Sequence, residues 1–183
     1  MTNKELIEKY PWLTPFNRFS GKLITDCAGP DGEEGYWPGN PTAHPDYDYD
    51  FTELDNLADG WRKAFGEQMC EEIDKIVKSW PEERQKNFRI MDIKEKWGHL
   101  CIYTNYVDSD IDKIISKYTL ISKFTCIHCG EPACWITRGW YMPYCQNCAE
   151  EQIQCINKMC STQTGWDENF MDIDEYYRRN NNE

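Results

Sequence analysis

Four cysteines, arranged as Cys126-x-x-Cys129, fifteen intervening residues and Cys145-x-x-Cys148, constrain this chain more than any other feature. Each Cys-x-x-Cys pair forms a tight turn whose two sulfurs converge on one point, and two such turns complete a tetrahedral thiolate cage. A soft four-sulfur cage with no open position favours zinc in a structural role over a catalytic one. Gly130 follows the first pair, where the chain must turn without a Cβ clash. Arg138-Gly139 divides residues 133–137 from 140–144, which predicts a short hairpin between the two knuckles. Beyond Cys148, Ala149, Ile153, Ile156 and Met159 recur at helical spacing, so a helix starting near Gln146 is expected. Cys148 would then sit in its first turn, where the macrodipole favours a thiolate. Knuckle, hairpin, and knuckle opening into a helix is a treble-clef order. His128, between two of the ligands, reads as a surface residue.

Ten cysteines could also signal disulfides. The start of the chain lacks the basic-then-apolar pattern of a secretory signal, and no apolar run approaches the ~18 residues of a membrane span. The expected setting is the reducing cytoplasm of a bacterial host, where metal ligation is the better account of the clustered four. Cys27, Cys70, Cys101, Cys134, Cys155 and Cys160 are then free thiols.

The net charge of −12 is concentrated. Residues 25–60 hold ten acids and no Lys or Arg. Such a segment repels nucleic acid and membrane surfaces and attracts basic partners. Within it, Asp46-Tyr47-Asp48-Tyr49-Asp50 alternates acid with aromatic. If extended, its carboxylates share one side about 6.6 Å apart, on the order of the phosphate spacing of an extended nucleic-acid strand. A calcium loop of the EF-hand type fails here, because Phe51 stands where the turn needs Gly and Leu57 where the bidentate Glu belongs. The plainer reading is a solvated acidic loop whose tyrosines pack.

The expected architecture is α+β: two helices packed on an antiparallel hairpin or small sheet, with a C-terminal treble-clef zinc module. Four segments follow from the pattern. Residues 1–60 hold a short helix (3–9, ended by Pro11) and the acidic loop, which Trp12, Phe16, Phe19, Tyr36 and Trp37 pin to the body. Residues 61–124 form a helix–hairpin–helix core. The zinc module spans 125–160, and an acidic tail spans 161–183, part of which docks through Trp166, Phe170, Met171, Ile173 and Tyr176.

In the core, Trp61, Phe65, Met69, Ile73, Ile76, Val77 and Trp80 line one helix face, with Asp59 as N-cap and Pro81 as stop. Glu71 with Lys75 and Asp74 with Lys78 are supporting pairs. Strands are expected at 88–95, with a phase change after Ile90, and at 99–106 around a Lys96-Trp97-Gly98 turn. The second helix has Asp108 or Ser109 as cap and Ile111, Ile114, Ile115, Tyr118 and Ile121 as its stripe.

The run Ile90-Met91-Asp92-Ile93-Lys94-Glu95-Lys96-Trp97-Gly98-His99-Leu100-Cys101-Ile102-Tyr103, taken with Thr125-Cys126-Ile127-His128-Cys129-Gly130, Gly139-Trp140 and Tyr144-Cys145, resembles a widespread group of small, uncharacterised bacterial and phage proteins. They share a V-K-E-K-F-G-G-L-R-F-Y-like hairpin, a helix and a T-C-x-x-C-G…G-W…L-C-x-x-C zinc module. The resemblance covers roughly residues 60–150. Where the group has Gly-Leu-Arg, this chain has His99-Leu100-Cys101, so a role for that Arg does not carry over. The resemblance implies a zinc-stapled α+β body and a phage or mobile-element context, in which acidic inhibitors of host defence enzymes, anti-CRISPR proteins among them, are common.

Two function classes result. The first is a binding protein that blocks a basic surface, such as that of a host nucleic-acid-handling nuclease. It would use Asp46, Asp48, Asp50, Tyr47, Tyr49, Glu33, Glu34 and the hairpin-tip Trp97. The second is an enzyme or small-ligand binder with a pocket between hairpin and acidic loop, using Tyr103, Asp92 or Glu95. His99, Cys101 and Tyr103 share a strand face, but no glycine elbow or oxyanion loop accompanies them, so an ordinary strand face is the simpler account. There is no phosphate loop, dinucleotide fingerprint or metalloprotease pair.

Overall fold

The computed structural model describes residues 1–15, 51–159 and 164–180. Among these residues the fold is α+β, with two small antiparallel sheets. Helix α1 (Asn3–Lys9) opens on a reciprocal capping box, in which Glu5 N–H donates to Thr2 Oγ1 and Thr2 N–H to the Glu5 carboxylate. That box satisfies two of the amides a helix start leaves orphaned. Pro11 ends α1 by opening a 3₁₀ turn, Pro11–Leu13.

The first long helix is built in three parts: an α-turn Asp59–Trp61, a π-helical stretch Arg62–Gly66, and α2 (Glu67–Val77). Its buried face carries Trp61, Phe65, Met69, Ile73 and Val77, as the periodicity requires, whereas Ile76 and Trp80 are half-buried. The N-cap is Ala58 and not Asp59, which lies inside the first turn, where its negative charge still suits the dipole. Of the expected pairs, Asp74 with Lys78 forms at 2.6 Å, and Glu71 reaches Lys9 at 3.3 Å.

A short helix α3 (Glu82–Asn87) precedes the hairpin β1 (Ile90–Lys96) and β2 (His99–Thr104). β1 is shifted along the chain from its expected bounds, whereas β2 starts at His99 as expected and ends earlier, at Thr104. The turn is Trp97-Gly98 alone, with φ of 53° and 78°. Two successive positive φ values match the right-handed twist of a hairpin. Leu100 and Ile102 point inward and Tyr103 outward. Ile90 and Ile93, three apart, are both buried, so the alternation in β1 shifts phase.

Helix α4 (Ser109–Lys123) is capped by Asp108, whose Oδ1 accepts from Asp110 N–H at 3.0 Å and Ile111 N–H at 3.2 Å. Its stripe runs through Ile111 and Tyr118 but turns at its end to Ser122, which is fully buried, while Ile121 is exposed. Ser122 Oγ accepts Leu100 N–H at 2.8 Å and donates to the Thr119 carbonyl. A hydroxyl thus holds the place an isoleucine was expected to take.

After the first knuckle come β3 (Trp135–Thr137), β4 (Pro143–Tyr144) and α5 (Gln146–Met159), the knuckle–hairpin–helix order of a treble clef. The acidic C-terminal segment docks in its described part, as its apolar residues predicted. It forms α6 (Trp166–Asn169), β5 (Phe170–Asp172) and α7 (Ile173–Asn180). β5 pairs antiparallel with β3, opposing Thr137 to Phe170 and Trp135 to Asp172, so the sheet order is β4-β3-β5. Phe170 and Ile173 are buried, each worth about 1.5–3 kcal/mol, enough to hold an otherwise hydrophilic stretch in place.

The chain divides into two compact units. The first comprises Met1–Asn56, Cys70–Ile93 and Ile102–Ile111, and the second Leu57–Met69, Lys94–Cys101 and Asp112–Glu183. The first is organised around Trp12, whose ring lies 5.6 Å from Tyr10 and 5.9 Å from Phe88, and whose Nε1 donates to Asp74. Arg84 lies over the Trp80 ring at 3.8 Å and pairs with Asp108 at 3.0 Å. In the second, Phe65 packs on Tyr118 and the cysteine knuckles close on Ala149 and Phe170.

Burial works to raise the Asp108 carboxyl, but the Ile111 and Asp110 amides and Arg84 outweigh it and hold it below its ordinary value. A depressed carboxyl contributes stability above its unfolded pKa, lost as pH falls through the folded one. Asp108→Ala is therefore expected to cost about 1 kcal/mol at neutral pH. The deficit should shrink below about pH 4, as measured by denaturant unfolding of both proteins at each pH.

Candidate metal centre

The sulfurs of Cys126, Cys129, Cys145 and Cys148 lie within 4.8 Å of one another, with Cys129 and Cys145 at 3.5 Å. Three of the four residues are buried and Cys129 is half-buried. Local hydrogen bonds shape each knuckle. Gly130 N–H donates to the Cys126 carbonyl at 3.0 Å and Cys126 N–H to the Glu131 carbonyl at 2.7 Å. Gly130 takes φ 86°, a backbone state that glycine adopts without strain. Ile127 N–H reaches the Pro143 carbonyl at 2.9 Å, joining the first knuckle to β4. The second knuckle opens into α5, where Ala149 N–H donates to the Cys145 carbonyl and Cys148 falls in the first turn.

Gly60, which sequence reasoning passed over, holds a long-range contact that shapes the site. Its N–H donates to the Ile127 carbonyl at 2.9 Å, and Trp61 Nε1 donates to the Thr125 carbonyl at 2.9 Å. A Cβ at residue 60 would lie 2.2 Å from the Cys126 carbonyl oxygen and 2.7 Å from Gly130 N. Helix start and knuckle meet backbone to backbone. A glycine at the start of a predicted helix was the only available signal, and it resembles any other helix-edge glycine.

The thiols do not share one proton affinity. Burial works to raise Cys126, but the amides of Cys145, Cys129 and His128 outweigh it and leave the group below its ordinary value. Burial first, then the neighbouring sulfurs, push Cys148 far up, and burial raises Cys129. Four closely packed thiols cannot all ionise without a compensating cation, so metal binding at this cluster must displace protons. The soft, largely buried donor set fits a divalent metal ion. His128 is exposed, as expected, yet its Nδ1 stands 3.6 Å from Cys148 Sγ.

Of the sequence-designated contact residues, Trp97 is described and is 58% exposed. Its ring lies 6.5 Å from Tyr141, which stacks on Tyr176 at 5.1 Å. Tyr176 meets Tyr177 at 4.9 Å, and Tyr177 meets Phe124 at 5.1 Å. Tyr141, like Trp97, has positive φ, and a Cβ on Gly98 would strike the Tyr141 carbonyl oxygen at 1.9 Å. The two loop tips are thereby fitted together, and Trp97 ends a row of aromatic rings. Asp46, Asp48, Asp50, Tyr47, Tyr49, Glu33 and Glu34 lie outside the described residues, as do Phe16, Phe19, Tyr36, Trp37, Cys27 and Cys160. Tyr103 is exposed, and Asp92 and Glu95 are half-buried; the Glu95 carboxylate accepts Gly98 N–H at 2.6 Å, closing the hairpin turn.

In the first unit a cleft of 360 Å³ is lined by Lys9, Trp12, Asp74, Lys78, Glu82 and Lys86 among others. Its charges are largely matched, Lys78 by Asp74 and Lys86 by Glu82, each at 2.6 Å. Among the described residues no helix is long and apolar enough to cross a membrane. No protein-family model, curated protein or solved structure matches this chain.

Replacing glycine by alanine in a helix ordinarily stabilises it by up to about 1 kcal/mol. At Gly60 the clash is with backbone atoms and should reverse the sign. Gly60→Ala is expected to lose about 1–3 kcal/mol and to weaken metal retention, read by thermal unfolding and by metal competition against a chelator.

Proposed function

We propose that the chain is an acidic, zinc-stabilised binding protein that blocks a basic surface on a nucleic-acid-handling enzyme. The observation that carries this reading is the charge distribution: ten acids and no Lys or Arg in residues 25–60 of a chain of net charge −12. Enzymes that hold nucleic acids line their channels with Lys and Arg, and affinity there is dominated by phosphate neutralisation. Carboxylates at Asp46, Asp48 and Asp50, supported by Glu33 and Glu34, would exploit the same electrostatics, giving fast association that weakens as salt rises. Tyr47, Tyr49 and the exposed Trp97 would supply aromatic anchors of the kind that dominate interface energies. Direct binding to nucleic acid or membrane is disfavoured by the same charge. The resemblance to bacterial and phage proteins supports a more specific form of this reading, an anti-CRISPR-like inhibitor of a host defence nuclease in the bacterial cytoplasm.

Zinc is the ion we assign to the four-cysteine cluster, on the softness of its donors and because four thiolates complete a tetrahedral set with no open position. Its role is structural: site assembly and folding of the second unit are linked. Metal analysis of the purified chain should find tightly held zinc that a strong chelator removes with a marked fall in thermal stability. Cys145→Ser should lose both metal and cooperative unfolding. A variant that stayed folded and zinc-loaded would refute the structural role.

The binding role is tested by capture from a bacterial lysate, followed by salt titration and competition of the captured enzyme with its own nucleic acid. Changing Asp46, Asp48 and Asp50 together to Asn should abolish capture while leaving thermal stability nearly intact. Equal retention of the parent and this triple variant at low and high salt would overturn the acidic-block reading.

A further inference from the structure

Beside the four-cysteine cluster lies a second convergence of metal-binding donors. His128, Cys148 and Glu151 bring ring nitrogen, sulfur and carboxylate oxygen within 4.8 Å of one another. The local chain explains how. Glu151 follows Cys148 by three residues on α5, so the two occupy the same helix face. His128 is carried on the first knuckle, and its Nδ1 stands 3.6 Å from Cys148 Sγ. His128 and Glu151 are exposed, whereas Cys148 is buried.

A hydrogen bond between imidazole and sulfur would account for His128 alone. It does not involve the carboxylate, which the helix brings to the same point, and a mixed N, O and S donor set is what borderline divalent transition ions accept. Three protein donors, two of them at the surface, leave room for water to complete the coordination, as in an open zinc site. Electrostatics add to this. Four thiolates around one divalent ion retain an excess of negative charge, and Glu151 adds to it, so a second cation is drawn to the same place. A metal-bound thiolate sulfur keeps lone pairs and can bridge.

We propose that His128, Cys148 and Glu151 form a second, weaker and solvent-open site for a divalent transition-metal ion, with the Cys148 sulfur bridging it to the ion in the four-cysteine cluster. The proposal rests on the reading of that cluster as a metal centre. Calcium and magnesium, which seek oxygen donors, do not fit it.

The test is titration of the full-length, reduced, metal-free chain with Co²⁺ alone, followed by absorption and by competition with a chromophoric chelator. The parent should bind two equivalents, the second more weakly. Thiolate-to-cobalt charge-transfer absorption should change at both steps, because Cys148 takes part in both. His128→Asn and Glu151→Gln, conservative changes at exposed positions, should each keep the first equivalent and weaken the second by roughly tenfold or more. Excess Ca²⁺ should not displace the second ion. A single tight equivalent in the parent would overturn this site and leave the four-cysteine centre standing, and no tight equivalent at all would overturn both. A second equivalent that survives both substitutions, or that produces no change in sulfur absorption, would place the ion elsewhere and refute the proposal.

Discussion

The second unit depends on the convergence of four thiols. Cys126, Cys145 and Cys148 are buried and Cys129 half-buried, and their sulfurs lie within 4.8 Å of one another. Thiolates crowded in this way repel, and an unpaired buried charge is among the most expensive things a fold can hold. The protein's own contribution is partial: backbone amides favour ionisation of Cys126, while burial and neighbouring sulfurs oppose that of Cys148. A divalent cation would resolve the conflict, and the surrounding packing lets the knuckles close. Gly60 removes a side chain where the first helix meets the first knuckle, and β5 adds a strand to the knuckle hairpin, bringing Phe170 onto the cluster.

What was legible in the sequence was whatever local periodicity or spacing encodes. The double Cys-x-x-Cys pattern marked the cluster, Gly130 its turn, and the Trp61, Phe65, Met69, Ile73, Val77 series the buried face of the first helix. Boundaries were misread where a side chain elsewhere in the chain decided the outcome. Ser122 is buried in place of Ile121 because its hydroxyl serves Leu100 N–H, which no stripe of apolar residues anticipates. The π-helical turn at Arg62–Gly66 has no signature in hydrophobic spacing. Docking of the acidic stretch after residue 161 was legible in its apolar residues, of which Phe170 and Ile173 are buried, but the pairing of Phe170–Asp172 with β3 was not, because a three-residue strand has no periodicity to read. His128 was correctly read as exposed, but its nearness to Cys148 and Glu151 follows from knuckle geometry and cannot be read from the chain.

The aromatic row extends the same lesson to surfaces. Trp97, Tyr141, Tyr176, Tyr177 and Phe124 come from four separated stretches, and their rings meet in succession. Trp97 and Tyr141 are the non-glycine residues with positive φ among those described. Backbone of that kind is sparsely populated, and it persists only where surrounding structure over-determines it. Here Gly98 provides the close approach to the Tyr141 carbonyl that fits the two loop tips together.

Charge divides the molecule more sharply than its secondary structure does. The second unit holds thirteen acids against eleven Lys and Arg, while the first holds nineteen against nine. The four-cysteine cluster therefore belongs to the nearly balanced unit and the acidic excess to the other. This separation bears on the functional reading. At physiological ionic strength the field of an exposed charge decays over about 8 Å, so a carboxylate far from a contact steers encounter but adds little to the bound state. An acidic segment can act on a basic channel only by entering it, and its affinity then depends on the local spacing of its carboxylates more than on the total of −12.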